Sequence, residues 1–142
     1  MKTSARNQFT GTISAVEIGP VTAQAALRLD AGQTITATLT AAAATRLKLA
    51  VGQPAIALVK ASAVVLVADF GGYVLSARNQ LAGSVGRIDR GAVSTLVGVE
   101  LPGGGVVTAS VTNDAVNALG LELGQPVTAV FKAYSVMLAV AA

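Results

Sequence analysis

The sequence has no cysteine and no histidine. The first absence excludes a disulfide framework, a thiolate metal site and a cysteine nucleophile. The second removes the usual general base and the commonest transition-metal ligand. Aromatic residues are 4% and charged residues 12% of the chain, with no tryptophan. A groove for single-stranded nucleic acid needs stacking rings and a dense basic surface. A net charge of +3 gives only a mild bias towards anions. No run of about eighteen apolar residues occurs, so no membrane-spanning helix is expected. The start, Met1-Lys2-Thr3-Ser4-Ala5-Arg6-Asn7, carries charge without an apolar stretch behind it and does not read as a secretory signal.

What the chain has is small apolar residues. Hydrophobic residues make up 53% of its 142 positions, which excludes disorder. The length suits one ordinary domain or two small ones.

The chain is written twice. At a shift of 72 residues, 4–68 aligns with 76–140 without a gap, and 24 of 65 positions are identical. A shuffled chain of this composition gives roughly seven, so the repeat is a tandem duplication, with copies at 1–70 and 71–142. Ser4-Ala5-Arg6-Asn7-Gln8 returns as Ser76-Ala77-Arg78-Asn79-Gln80, followed by Gly11 and Gly83. Gly52-Gln53-Pro54 returns as Gly124-Gln125-Pro126, and Lys60-Ala61 as Lys132-Ala133. Of the ten basic residues, only Arg6/Arg78 and Lys60/Lys132 keep their charge in both copies; Lys48, for instance, faces Gly120.

Within a copy, Gln33–Thr40 places Ile35, Ala37 and Leu39 on one side and threonines on the other, a half-buried strand of period two. Ala23, Ala25, Leu27 and Leu29 alternate likewise, and Asp30-Ala31-Gly32 predicts a hairpin between the two strands. Further strands are expected near 9–18, 54–60 and 63–68. Ala41–Leu49 favours a short helix capped by Thr40, with Thr112 or Asn113 capping its counterpart. Gly52 and Gly124 are expected to end the connection. Five strands and one helix predict an all-β chain of two tandem OB-fold-like Greek-key β-barrels, each with one short helix.

Catalysis is not expected, and no catalytic residue or metal ligand is assigned. No Ser-x-x-Lys, Gly-x-Ser-x-Gly or acidic metal cluster is present, and Gly103-Gly104-Gly105 lacks the Lys-Ser/Thr of a phosphate loop and reads as a hairpin. Anion binding is chemically within reach. Arginine offers a planar fork of donors and lysine a compact charge. Ser4 and Ser76 lie two residues from Arg6 and Arg78, on the same side of an extended segment. Amides at the helix starts near Ala43 and Ala115 would add donors. The competing expectation is structural: the repeated cations could pair with Glu17 or Asp89, Gly-Gln-Pro could be a turn, and the repeated Asn and Gln could be structural amides.

Ser-Ala-Arg-Asn-Gln, then Gly and a strand, then Thr, a helix, Leu-x-x-Gly-Gln-Pro and Lys-Ala, in that order and twice, resembles the molbindin (Mop/TOBE domain) family. The resemblance covers essentially the whole chain. It implies a cytoplasmic homo-oligomer of threefold character, a trimer, that binds and stores molybdate, with tungstate also accepted, and has neither a nucleic-acid nor a membrane partner. Molybdate would be held at seams between domains by Ser4, Arg6, Lys60 and Ser62 with Thr40 and Ala43, and by Ser76, Arg78 and Lys132 with Thr112 and Ala115. The chain departs from the pattern at Tyr134, which stands where the first copy has Ser62. The alternative is an OB-type single-stranded nucleic-acid-binding module.

Overall fold

The computed structural model describes all 142 residues. In chain order the strands are β1 (Asn7–Ile18), β2 (Thr22–Leu29), β3 (Thr34–Thr40), β4 (Pro54–Val59), β5 (Val65–Val67), β6 (Asn79–Arg90), β7 (Ser94–Glu100), β8 (Val106–Thr112), β9 (Pro126–Phe131) and β10 (Met137–Ala139). Helix α1 (Ala41–Arg46) follows β3 and α2 (Asn113–Leu119) follows β8; single 3-10 turns occupy Ala61–Ala63 and Ala133–Ser135. No helix is long and apolar enough to cross a membrane.

The chain forms two compact units, Met1–Val59 with Lys132–Ala142, and Lys60–Phe131. The repeats divide the sequence at about residue 70, but the units are divided differently. The closing segment of each copy belongs to the unit headed by the other copy. In the first unit the strand order is β10-β4-β1-β2-β3; in the second it is β5-β9-β6-β7-β8. The long first strand pairs with both the second and the fourth, and the exchanged short strand pairs with the fourth. This is the neighbour order of an OB-type barrel.

Alternation builds the walls. Along β1, Asn7, Phe9, Gly11 and Ile13 face inward and the residues between them face out. Ile13, Leu27, Ile35 and Val59 fill the first core; Val85, Val97, Val99, Val107 and Phe131 fill the second. Each such side chain contributes about 1.5–3 kcal/mol by leaving water. The simple alternation fails near the end of β3: Thr38 is buried and Leu39 only half-buried. Both β1 and β6 carry a register shift, between Ile13 and Ala15 and between Val85 and Arg87. Bulges of this kind sharpen strand coiling.

The glycines repeated ahead of these bulges have a steric reason. A Cβ on Gly11 would overlap the Arg28 carbonyl oxygen, and one on Gly83 the Glu100 carbonyl oxygen. Only glycine permits that approach.

Helices of six and seven residues do not stand alone in water. They are held by their ends and by one buried side chain each, Ala44 and Val116. The Thr40 hydroxyl accepts from the Ala43 amide at 3.0 Å, and the Thr112 hydroxyl from Ala115 at 3.1 Å. Thr112 is therefore the cap of α2. Asn113 instead donates to the Gly91 carbonyl at 3.0 Å and accepts from the Thr95 hydroxyl at 2.6 Å.

The helices end earlier than Gly52 and Gly124. After α1, the Leu49 amide bonds the Ala44 carbonyl at 3.1 Å and the Lys48 amide bonds Thr45 at 3.0 Å, with Lys48 at φ 52°. After α2, Leu121 bonds Val116 and Gly120 bonds Asn117 in the same pattern, with Gly120 at φ 60°. This is the glycine-favouring Schellman ending. The second copy meets it with glycine and the first with lysine.

Gly-Gln-Pro serves the turn that follows. Gly52 donates to the Ile13 carbonyl and Ile13 to the Gln53 carbonyl, both at 2.8 Å, while the Gln53 side chain accepts from Ala50. Gly124, Val85, Gln125 and Glu122 repeat the arrangement. The turn is thereby tied to the bulge of the long strand.

Candidate functional site

Ser4 and Arg6 are exposed on either side of buried Ala5, so the two side chains leave the same face of the extended lead into β1. Ser76 and Arg78 flank half-buried Ala77 in the same way before β6. The β1–β4 ladder begins at the pair Asn7–Val59. Arg6 is the residue before Asn7 and Lys60 the residue after Val59, so the two retained cations of the first copy leave one ladder end. The β6–β9 ladder begins at Asn79–Phe131, and Arg78 and Lys132 flank that pair identically.

Arg6, Lys60 and Lys132 are exposed, and no carboxylate pairs with them. Asp89, one of the expected structural partners, sits 2.6 Å from Arg87 instead. The asparagines between cation and strand are structural: Asn7 and Asn79 are each only 2% exposed. Gln80 turns back to donate to the Ala77 and Leu75 carbonyls, and Gln8 to the Ala5 carbonyl. No group of three or more acidic side chains is placed to hold a metal ion. The donors offered here suit an oxyanion.

Thr40 and Ala43 lie elsewhere in the first unit. Thr40 pairs with Thr22, beside the hairpin that follows Ile18, at the opposite end of β1 from Arg6. Thr112 stands in the same relation to Arg78, through Ser94 and the Arg90 end of β6. One barrel therefore does not bring its own Ser-x-Arg to its own helix start. Within the first unit the Ala133–Ser135 turn, next to Lys132, packs against β3; within the second the Ala61–Ala63 turn, next to Lys60, packs against β8. Ser62 and Tyr134 are both exposed on these turns.

The helix starts offer fewer amides than the sequence suggests. The Ala41 amide bonds the Val21 carbonyl at 2.9 Å and the Ala43 amide is taken by Thr40. In α2, Asn113 bonds Val93 and Ala115 bonds Thr112. The backbone donors left facing out are those of Ala42 and Asp114, together with the protons of the two threonine hydroxyls. Ala42 and Asp114 escaped the sequence reading because neither is repeated. Asp114 also sets a carboxylate in the first turn of α2 where α1 has none.

Two OB-type barrels, each opened by a Ser-x-Arg lead and each closed by a segment exchanged from the other copy, define a tandem protein with no metal-ligand cluster. Over residues 3–66 and 75–138 the chain matches the TOBE domain, and it belongs to that family. It is 62% identical over 140 residues to the molybdenum transport protein ModE of Herbaspirillum seropedicae, which matches 99% of this chain and 52% of that protein. It is 40% identical over 139 residues to the molybdenum-pterin-binding protein MopA of Rhodobacter capsulatus, covering 98% of this chain and again 52% of the relative. The chain thus spans about half the length of the curated relatives it matches. Among solved structures, the cytoplasmic molybdate-binding protein ModG, crystallised with molybdate bound, is similar with a TM-score of 0.96 and 45% identity, over 99% of this chain and 100% of that one.

Proposed function

We propose that this protein binds molybdate, accepts tungstate, and serves their storage and homeostasis in the cytoplasm as a homo-oligomer, a trimer. What supports this reading is that Arg6 precedes and Lys60 follows the terminal ladder pair Asn7–Val59, as Arg78 and Lys132 flank Asn79–Phe131. These are the charges both copies retain. A tetrahedral dianion there takes charge-assisted hydrogen bonds from guanidinium and ammonium and neutral ones from Ser4, Ser62 or Ser76. A barrel's own helix start lies at the far end of its long strand, which supports a site completed by the helix start of a different barrel, with Thr40 or Thr112 at its head; in this proposal that barrel belongs to a neighbouring chain of the trimer. Ala43 and Ala115 shape that start through their caps, and the open donors beside them are Ala42 and Asp114. The function is binding without catalysis, and small oxyanions are preferred to nucleic acid because stacking aromatics are few.

A site shared between chains ties ligand to assembly by mass action. The test is to incubate the purified protein with molybdate and excess sulfate, pass it through a sizing column and measure molybdenum in each fraction. Molybdenum is expected to elute with a trimer despite the sulfate. A protein peak free of molybdenum refutes the molybdate assignment, and molybdenum on a monomer refutes the shared site.

A further inference from the structure

The two 3-10 turns that follow Lys60 and Lys132 have the same backbone. Lys60 stands at φ −67°, ψ 138° and Lys132 at φ −73°, ψ 147°; the closing residues Val64 and Val136 stand at φ −92°, ψ 125° and φ −94°, ψ 123°. The Ala63 and Ser135 amides reach the Lys60 and Lys132 carbonyls at 3.0 Å in both, and Val64 and Val136 reach Ala61 and Ala133 at 3.3 Å in both. The first turn residue, Ala61 or Ala133, is buried in each. On this common frame the exposed middle position carries a hydroxymethyl group in one turn, Ser62, and a phenol in the other, Tyr134, which is 73% exposed.

We infer that residue 62/134 makes the two oxyanion sites of the chain unequal, the Lys132 site being the weaker. This rests on the reading of the cationic ladder ends as oxyanion sites. Ser62 offers a donor one bond from Cβ, two residues after Lys60 on the same exposed turn. Tyr134 holds its hydroxyl at the tip of a ring on an identical backbone, beyond an ion seated at the same depth. Ser135 does not replace it: it occupies the position of Ala63, half-buried on the other side of the turn. Loss of one hydrogen bond to a charged acceptor lowers affinity about tenfold or somewhat more.

The test is calorimetric titration of this 142-residue protein with molybdate, for wild type, Tyr134→Ser, Tyr134→Phe and Ser62→Tyr. Wild type is expected to show two equally populated classes of site about tenfold apart. Tyr134→Ser should merge them at the tighter affinity and Ser62→Tyr at the weaker one, while Tyr134→Phe should leave both classes in place. The exposure of both positions makes loss of fold no explanation for a null result, and unchanged circular dichroism checks it. A single class in wild type, two classes unmoved by Tyr134→Ser, or loss of the weaker class in Tyr134→Phe, where the phenol would itself be the ligand, overturns the inference and leaves the proposed function standing. Absence of any molybdate uptake by wild type overturns both.

Discussion

Replacing Gly11 by alanine tests the fold most sharply. The added Cβ would overlap the Arg28 carbonyl oxygen, lie 2.9 Å from its carbon and 3.1 Å from Leu27 Cγ. Two of these three atoms are backbone, so no rotamer change relieves the clash. Nor can β1 retreat, because Gly11 is in register with Leu29 on one side and Ala55 on the other. The strands must part, at an overpacking cost of about 1–3 kcal/mol and with weakening of one or two ladder hydrogen bonds worth about 1 kcal/mol each. Reduced freedom of the unfolded chain returns about 0.4–1 kcal/mol. The expected net loss is about 2–3 kcal/mol, lowering the melting temperature of the unit by roughly 10–20 °C. Gly83→Ala meets the Glu100 carbonyl in the same way and should match it in the second unit. Urea and thermal unfolding followed by circular dichroism read both. A loss below about 0.5 kcal/mol in either variant would show that the carbonyl approach does not constrain the long strand, and the account of the repeated glycines would be wrong.

Other substitutions separate binding from folding. Arg6 makes no structural pair, so Arg6→Ala should leave stability within about 0.5 kcal/mol while removing half of the molybdate taken up at saturation. The Arg6→Ala, Arg78→Ala double variant should take up essentially none, and undiminished uptake in equilibrium dialysis counts against the assignment. Thr40→Ala and Thr112→Ala remove the caps on α1 and α2 and should each cost about 1 kcal/mol, measured by urea unfolding; a neutral outcome means that the hydroxyls do not hold the helix starts. Lys48→Gly relieves a left-handed lysine at φ 52° and should stabilise the first unit by about 0.5 kcal/mol, whereas Gly120→Lys should destabilise the second by a similar amount. Destabilisation by Lys48→Gly, or stabilisation by Gly120→Lys, would refute the Schellman reading.

Much of the fold was legible residue by residue. The alternation of Ile35, Ala37 and their neighbours, the Asp30-Ala31-Gly32 hairpin, the glycine hairpin at 103–105 and the Thr40 and Thr112 caps all follow from local rules. The Gly-Gln-Pro turn and the structural asparagines fit their expected bland roles. Other features had no local signature. Thr38 and Thr95 are buried polar residues, Thr95 because it meets Asn113 eighteen residues away. Lysine carries no mark that announces a left-handed conformation at position 48. The Ala43 and Ala115 amides looked open for an anion and are occupied by the caps that the same sequence predicts, since one threonine hydroxyl satisfies the third amide of its helix.

The sequence alone determined what is periodic or covalently near: the strands, the turns, the helix starts, and which four cations both copies retain. Tertiary structure decided which strand closes which barrel. Val65–Val67 pairs with β9 and Met137–Ala139 with β4, although either short apolar segment could fill either place by pattern alone. Pairing at that distance is settled by where the whole chain can run, not by the preferences of three residues. The same nonlocal choice paired Asn7 with Val59, fifty-two positions apart in the chain, the residues that Arg6 precedes and Lys60 follows.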